Sequence, residues 1–214
     1  MKNYVITIME NEKSVEAANR CIQSGRAHGI EIEHFPAITP ENTNLTKAFV
    51  ERGIPEQGFE EKYSRLENCM AAFLSHYSLW EKAVNEKTEV TIFEHDAYVV
   101  APIPDPMFYY GVVNLGAPSY GKFLQPAYIG VGPLVSKQYF PGAHAYRVNR
   151  VGADLLMRGV SHAKPTDVYM NKHWFPWLEE YNPWPVMCKD SFTTIQNEAG
   201  CLAKHNWNED YEII

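Results

Sequence analysis

The sequence has no apolar run that approaches the roughly 20 residues of a membrane-spanning helix, so we expect no transmembrane segment. Residues 1–9 lack both the long apolar stretch and the small-residue cleavage site of a signal peptide. Only four cysteines occur, with no Cys-x-x-Cys spacing, which is typical of reduced, buried thiols in a cytoplasmic protein. Repeats, low-complexity segments and linkers are also absent, and we therefore expect one domain over residues 1–214.

Positive charge is scarce as well: 19 Lys and Arg against 26 Asp and Glu give a net charge of −7. Such a chain gains no general attraction to phosphate backbones or anionic membranes. What the sequence does have is apolar residues, at 45% of 214 positions, and many aromatic residues, at 13%. This composition excludes an intrinsically disordered chain and is sufficient for a large core.

Apolar patterns predict alternating strands and helices. A β-branched run at 4–9, an alternating run at 30–35 and a buried run at 89–93 predict strands, and helical spacing over 11–26 and 67–87 predicts helices. The further predicted elements are a helix at 45–52, strands at 107–115, 127–135 and 145–148, a helix at 151–158, and a helix opening at 165–167 with Thr166 or Asp167 as N-cap. Residues from 182 onward carry few regular signals. The alternation predicts an α/β fold with a mostly parallel, doubly wound sheet.

The strand predicted at 89–93 runs into Glu94-His95-Asp96, which places two carboxylates at a strand end with an imidazole between them. Ligands of open α/β sheets bind beyond the carboxyl ends of strands. Carboxylates at this place can hold Mg²⁺ or Mn²⁺, which in turn neutralises a diphosphate. The alternative interpretation is a strand end capped by solvated acids, because an isolated Glu-x-Asp pattern is common.

Several ordered segments surround this motif. They are a Cys69…Ser75-His76 helix, the Glu94-x-Asp96 strand end, a Leu-Gly turn at 115–116, a Gly142-x-x-x-Tyr segment and a Gly-Ala-x-x-Leu helix at 152–156. Together they resemble glycosyltransferase family 25, the lipooligosaccharide biosynthesis family. The segment 29–37 also looks like the family's connection from the first helix to the second strand. The resemblance covers roughly residues 4–170 and implies a single GT-A-like nucleotide-diphospho-sugar transferase domain.

The sequence departs from the family pattern at three places. His95 replaces the middle acid of the usual Glu-Asp-Asp, five residues separate Cys69 from Ser75, and the first strand lacks the expected Asn-Leu and Arg pattern. These differences concern the details of donor binding more than the fold.

The resemblance implies a metal-dependent glycosyltransferase that uses a nucleotide sugar, which we expect to be a UDP-sugar. Residues 1–118 would form the donor and metal half, and residues 119–214 the acceptor half. Glu94 and Asp96 would hold Mn²⁺ or Mg²⁺, with the late histidine His205 as a further ligand and His173 as second choice. Asp167 would be the general base, with Asp190 in reserve. The residues implied in cofactor and donor binding are Ala37, Ile38, Ser75, His76, His95, Gly142 and His144.

Each of these residues also has a structural interpretation. Asp167 is equally well explained as an N-cap, and Ser75 and His76 as packing residues of the helix. His95 is expected either to turn away from the metal or to contact the base or diphosphate. His144 is expected either to contact the acceptor or to form a hydrogen bond in the core.

The acceptor remains open between two classes. A saccharide is the first expectation, since the family modifies lipid-linked oligosaccharides. The second is a hydroxymethylated base of viral DNA in an infected bacterial cell, which would need the basic residues between 122 and 158 to form a groove and Trp174, Trp177 and Trp184 to enclose a flipped base. A third hypothesis is a catalytically inactive carbohydrate-binding protein, and a fourth is a nucleotide-sugar hydrolase. The oligomeric state is not indicated by the sequence.

Overall fold

The computed structural model describes residues 1–119, 121–189, 191–203 and 212–214. Its strands are β1 (Lys2–Thr7), β2 (Glu33–Pro36), β3 (Val90–Glu94), β4 (Ala97–Val99), β5 (Val112–Asn114), β6 (Gly130–Pro133), β7 (Ala145–Val148), β8 (Glu179–Asn182), β9 (Val186–Cys188), β10 (Phe192–Thr193) and β11 (Glu212–Ile213). Its α-helices are α1 (Glu12–Ala27), α2 (Leu45–Arg52), α3 (Leu66–Asn85), α4 (Arg150–Arg158), α5 (Thr166–Tyr169) and α6 (Glu198–Ala203). Two 3-10 turns lie at Glu56–Phe59 and Val160–His162.

Seven strands form one central sheet in the order β2-β1-β3-β7-β5-β8-β6. β1, β2 and β3 are parallel to one another, and β5 is parallel to β8. β7 runs antiparallel to both β3 and β5, and β6 runs antiparallel to β8. Five strands therefore point one way and two point the other. Because β7 lies between β3 and β5, the halves 1–118 and 119–214 share this sheet.

Helices cover both faces of the sheet, as its alternating side chains require. Tyr4 and Ile92 face the layer that contains α3 and α4, whereas the neighbouring residues Val5 and Phe93 face the layer that contains α1. Alternate residues of a strand point to opposite faces, so both faces of these central strands are apolar. The predicted α/β class with a mostly parallel, doubly wound sheet is confirmed.

Asparagine caps fix the starts of three helices. The side chain of Asn11 accepts a hydrogen bond from Ser14 N–H, that of Asn44 from Lys47 N–H and that of Asn149 from Gly152 N–H. Each bond satisfies one of the backbone donors that the first turn of a helix leaves unpaired. At the other end of α2, Gly53 adopts the left-handed conformation with φ of 64°.

The chain after residue 160 differs from the prediction in two ways. The short helix α5 has Pro165 as its N-cap, with no side-chain cap, so the prediction of Thr166 or Asp167 as N-cap is wrong. The strand β8, which has the sequence Glu-Glu-Tyr-Asn, was not predicted although it lies inside the sheet. Its Glu180 is fully buried. The burial of this carboxylate is tolerated because it accepts hydrogen bonds from Val135 N–H, Ser136 N–H and Trp184 Nε1–H.

Among the described residues, none of the helices is both long and apolar enough to cross a membrane.

Candidate active site

A cavity of about 880 Å³ opens where β1, β2 and β3 end. Its walls come from the ends of these strands, the cavity-facing side of α3, the turn before β7, the start of α5 and the segment 192–196. Of the described residues that the sequence analysis proposed for catalysis, cofactor binding or metal binding, all but His173 line this cavity: Ala37, Ile38, Ser75, His76, Glu94, His95, Asp96, Gly142, His144 and Asp167. Asp190 and His205 lie outside the described residues. The structure thus gathers the described candidates at the sheet edge where α/β proteins bind ligands.

Asp96 lines this cavity, and its two carboxylate oxygens differ in their contacts with the described residues. Its Oδ2 lies 3.0 Å from the Cys188 thiol, which donates to it. Its Oδ1 is buried and has no hydrogen-bond partner among the described residues. A buried carboxylate oxygen without a donor is costly, so a cation or a donor from a ligand would complete this site.

Glu94 is held by a chain of hydrogen bonds from the core. Its Oε1 lies 3.1 Å from His76 Nε2, and its backbone N–H donates to the His144 carbonyl at 3.0 Å. His76 Nδ1 lies 2.9 Å from the Tyr146 hydroxyl, which also accepts from Trp80 Nε1–H at 2.8 Å. His76 is only 1% exposed, so it contacts Glu94 from inside the protein.

His95, between the two acids, is fixed by contacts with Ser14 and Phe192. Its Nδ1 lies 2.8 Å from the Ser14 hydroxyl, and its ring packs against Phe192 at 5.2 Å between centroids. Ser14 in turn accepts from Ile8 N–H at the end of β1. The histidine that replaces the expected middle acid therefore ties together the elements around the strand end.

Ser75 connects α3 to the segment that follows β2. Its hydroxyl accepts a hydrogen bond from Ile38 N–H at 2.9 Å and donates to the Ala71 carbonyl at 3.0 Å. Asn42 holds the same segment from the other side, because its side-chain amide donates to the Ala37 carbonyl. Ser75 is fully buried, and its contacts shape the wall formed by residues 37–38.

His144 lies between two glycines that leave room for its ring. A Cβ atom at Gly116 would lie 2.4 Å from His144 Nε2, and one at Gly142 would lie 2.7 Å from Nδ1. Gly142 also has φ of 149°, which favours glycine. The ring is 2% exposed, and its Nε2 has no hydrogen-bond partner among the described residues.

Asp167 lines the same cavity and lies on the short helix α5. One of its carboxylate oxygens accepts a hydrogen bond from Val168 N–H at 2.8 Å. Asp167 therefore shares one cavity with Glu94 and Asp96, and its role as a base stays a prediction.

The cavity is strongly acidic. Its described lining carries six carboxylates, from Glu10, Glu41, Glu61, Glu94, Asp96 and Asp167. Arg65 is the single basic side chain in that described lining, so the formal sum there is one minus six, or −5 with the histidines neutral. An anionic ligand such as a diphosphate would be repelled here unless a cation accompanied it.

The strand-end acids fit a cation that is shared with a substrate better than a cation enclosed by the protein. No group of three His, Cys, Asp or Glu side chains suitable for a metal is present in the part of the chain that the structure describes. Mg²⁺ at nucleotide sites is bound by one or two carboxylates together with substrate phosphates and water. Glu94 and Asp96 match that donor set, and Asp96 Oδ1 has no hydrogen-bond partner in the described part of the chain.

Several residues considered for a DNA groove or a base pocket lie elsewhere. None of the tryptophans 174, 177 and 184 is among the cavity-lining residues described; Trp174 instead stacks on His162, with ring centroids 3.8 Å apart. Arg147 is 2% exposed and donates to Thr91 and the Pro104 carbonyl. His173, the second choice as a metal ligand, also lies outside that lining. The predicted enclosure of a base by these tryptophans is wrong, because their rings pack on neighbours outside the cavity.

Some cavity residues were not predicted from the sequence. Arg65 lines the cavity, and its guanidinium donates to the Ile214 carbonyl at 2.7 Å. Cys188 was expected to be a buried thiol, yet it is half-buried and contacts Asp96. Neither residue belongs to a motif in the sequence. Tyr146 does belong to one, since it ends the Gly142-x-x-x-Tyr segment, but that spacing gave no indication of its bond to His76.

Comparison with known proteins adds one finding. Residues 1–103 match the family model described as Glycosyltransferase family 25 (LPS biosynthesis protein). This range contains β1 to β4 and both strand-end acids, whereas Asp167, Gly142 and His144 lie beyond it. A search of curated proteins found no match. The match supports a glycosyltransferase and confirms the resemblance: over residues 1–103 this chain is similar to glycosyltransferase family 25.

Proposed function

We propose that this protein is a cation-dependent glycosyltransferase that transfers a sugar from a nucleotide-sugar donor, a UDP-sugar in our expectation, to a hydroxyl group of a saccharide. The observation that carries the proposal is the convergence of Glu94, Asp96 and Asp167 on one acidic cavity at the carboxyl ends of β1 to β3. The family match over residues 1–103 supports the reaction class.

The charge of the cavity supports the dependence on a cation. A nucleoside diphosphate is itself anionic and would enter a lining with a formal charge sum of −5. Mn²⁺ or Mg²⁺, bound by Glu94 and Asp96, would neutralise the diphosphate and the further charge that it gains as it departs. The cation would also supply a partner for the buried Asp96 Oδ1, which has no hydrogen bond among the described residues.

The wall around residues 37–38 suits the nucleoside part of the donor. Ser75 accepts a hydrogen bond from the Ile38 N–H, and Asn42 donates one to the Ala37 carbonyl. These bonds hold the wall in place before a ligand binds. A binding surface that needs no reorganisation loses less entropy when the ligand binds.

Asp167 would act as the general base. In the proposed step the acceptor hydroxyl oxygen forms a bond to the anomeric carbon, the bond from that carbon to the diphosphate oxygen breaks, and the hydroxyl proton passes to the Asp167 carboxylate. This step inverts the anomeric centre. Asp167 lines the same cavity as the strand-end acids, which allows donor and acceptor to meet.

A saccharide acceptor is favoured over DNA by the same electrostatics. A duplex would bring many phosphates to an acidic opening, and Arg147, which the DNA hypothesis needed, is buried in the sheet. A saccharide carries hydroxyl groups that carboxylates can bind without charge repulsion.

The proposal can be tested by a screen of nucleotide sugars in a thermal unfolding assay, with and without Mn²⁺, followed by transfer assays on simple saccharides. Ligand at about 100 times its dissociation constant stabilises a protein by about 2.7 kcal/mol. For a chain of this size that corresponds to a rise in Tm of roughly 5–10 °C. We expect such a rise for one donor or a small set, and with Mn²⁺ only.

Other outcomes would replace the proposal with a different class. Donor cleavage at a rate that no acceptor changes would indicate a hydrolase. Saccharide binding without binding of any nucleotide sugar would indicate an inactive carbohydrate-binding protein.

A further inference from the structure

Four side chains form a hydrogen-bonded line from the core to the strand-end acid Glu94. His76 and Trp80 are four residues apart on α3 and share the face of the helix that packs on the sheet. Tyr146 lies on β7, where it pairs with Ile92 of β3. The line runs from Trp80 Nε1 to the Tyr146 hydroxyl (2.8 Å), from that hydroxyl to His76 Nδ1 (2.9 Å) and from His76 Nε2 to Glu94 Oε1 (3.1 Å).

The direction of every proton in this line follows from the chemistry of its ends. The Trp80 indole can only donate, so the Tyr146 oxygen is its acceptor. The single hydroxyl proton of Tyr146 is then available for His76 Nδ1, which must accept it. Burial raises the pKa of Tyr146 well above its ordinary value, so this proton stays on the hydroxyl. The ring proton of neutral His76 is thereby placed on Nε2, which donates it to Glu94.

The opposite arrangement is unfavourable. If His76 carried a proton on Nδ1, both that group and Trp80 would donate to the Tyr146 oxygen. The hydroxyl proton of Tyr146 would then need another acceptor, and none is seen for it among the described residues. Tyr146 and Trp80 are both fully buried, and a buried polar group without a partner is destabilising.

We propose that Tyr146 and Trp80 are positioning residues that fix the Nε2–H tautomer of His76, and that His76 thereby holds the Glu94 carboxylate in one orientation toward the cavity. One oxygen of Glu94 is then engaged by His76, and the carboxylate cannot rotate freely. The link to a cation rests on the proposed function, because Glu94 is there a ligand of the cation that accompanies the diphosphate. Such outer partners of a metal ligand are worth about 10- to 100-fold in metal affinity.

The test begins with two matched tyrosine variants. Tyr146→Phe removes the hydroxyl that bonds to His76. Tyr169→Phe is the control: Tyr169 is equally buried in the same aromatic core, close to Trp80, but its hydroxyl donates to the Leu156 carbonyl and has no contact with His76. Tyr146→Phe loses two buried hydrogen bonds and Tyr169→Phe loses one, so a general loss of packing would affect both variants.

The first measurement needs no metal. Long-range ¹H–¹⁵N spectra of the histidine side chains report which ring nitrogen carries the proton. We expect His76 to be the Nε2–H tautomer in the wild type and in Tyr169→Phe, and to become a mixture of tautomers in Tyr146→Phe. A His76 tautomer that is unchanged in Tyr146→Phe would overturn the proposal.

The second measurement is the affinity for Mn²⁺ in the presence of UDP. Electron paramagnetic resonance detects the free ion and so gives the dissociation constant. We expect the dissociation constant of Mn²⁺ to rise about tenfold in Tyr146→Phe and to stay unchanged in Tyr169→Phe. Equal weakening in both variants would show a packing effect and would overturn the positioning role.

Two substitutions of His76 itself distinguish the effect of its bond to Glu94 from the effect of its bond to Tyr146. Gln places an amide N–H where Nε2 lies and can still donate to Glu94, whereas Asn reaches only the Nδ1 position. We expect His76→Gln to retain most of the Mn²⁺ affinity and His76→Asn to lose it; the reverse order would contradict the proposal. If the wild type binds no Mn²⁺ with UDP, the proposed function fails, while the tautomer spectra still decide the positioning role.

Discussion

Asp167 is the residue whose replacement isolates the proposed chemical step. Asp167→Asn keeps the shape of the side chain but removes the proton acceptor. We expect kcat to fall by about 100-fold or more, with little change in the affinity for the donor, as is typical for the loss of a general base. Steady-state kinetics with donor and acceptor varied in turn provide the measurement.

Glu41→Gln is the control for this substitution, since Glu41 is an exposed acid of the same cavity. It should leave kcat unchanged. Near-normal turnover of Asp167→Asn would exclude this residue as the base and would direct attention to Asp190.

The four cysteines are expected to differ in reactivity. Burial raises the pKa of both Cys21 and Cys69 to about 12, so almost none of either thiol is ionised at pH 8. Cys188 is half-buried and faces the cavity. We expect an alkylating reagent at pH 8 to modify Cys188 well before Cys21 and Cys69.

Mass spectrometry after timed alkylation gives the order of reaction. UDP with Mn²⁺ should slow the modification of Cys188, because this thiol contacts Asp96. Modification of Cys21 first, or a rate at Cys188 that ligands do not change, would contradict the description of the cavity.

At the scale of elements, the contact between α3 and the segment after β2 should be needed for donor binding. Ser75→Ala leaves the Ile38 N–H without its acceptor, which costs about 1–3 kcal/mol. We expect Tm to fall by roughly 2–12 °C and the affinity for the donor to fall as well, because residues 37–38 lose their support.

Ser24→Ala is the matched control. Ser24 is also a buried helical serine that donates to a carbonyl of its own helix, from Cys21, and accepts from a distant N–H, that of Val99. It should lose similar stability and retain donor affinity. If calorimetry showed equal losses of affinity in both variants, the wall at residues 37–38 would have no specific role.

The elements that the sequence predicts well are those whose local signals agree with their packing. The helix predicted at 45–52 and the strand predicted at 145–148 have the observed bounds of α2 and β7. α2 has both an asparagine cap and a C-terminal glycine, which mark its ends in the sequence. The strand at 107–115 is shorter than predicted, since only Val112–Asn114 pair in the sheet.

Strand β8 could not be predicted from local patterns, because its stability depends on distant partners. Two adjacent glutamates favour an exposed segment, yet Glu180 is buried by donors from residues 135, 136 and 184. The candidate site was likewise only partly predictable from local patterns. Sequence motifs predicted Glu94 and Asp96. The contacts of Tyr146 with His76 and of Cys188 with Asp96 could not be predicted, because they join residues 70 and 92 positions apart.

At the scale of the whole molecule, the net charge of −7 and the acidic cavity predict the nature of the acceptor. A DNA acceptor bound through six to ten phosphates would lose about 10³- to 10⁵-fold in affinity between 50 and 200 mM salt. Saccharide binding needs no phosphate contacts. We therefore expect transfer to simple glucosides or galactosides with almost no dependence on salt.

The measurement compares transfer to these saccharides with transfer to hydroxymethylated duplex DNA over that range of salt. Arg150→Ala serves as a check, because Arg150 is an exposed base near the buried Arg147. Transfer to DNA alone, with a steep loss in salt and in this variant, would contradict the saccharide assignment and leave the glycosyltransferase class intact.

The central claim is that the acidic cavity accepts a nucleoside diphosphate only together with a cation at the strand-end acids. A pair of unit charges 4 Å apart is worth about 4 kcal/mol near a protein surface. Calorimetric titration of UDP into the wild type should therefore show affinity at least about 100-fold higher with Mn²⁺ than with a chelator. Asp96→Asn should abolish this difference, whereas Asp154→Asn, which removes the same charge from the surface of α4, should retain it. UDP binding of equal strength with the chelator, or full Mn²⁺ dependence in Asp96→Asn, would contradict the account.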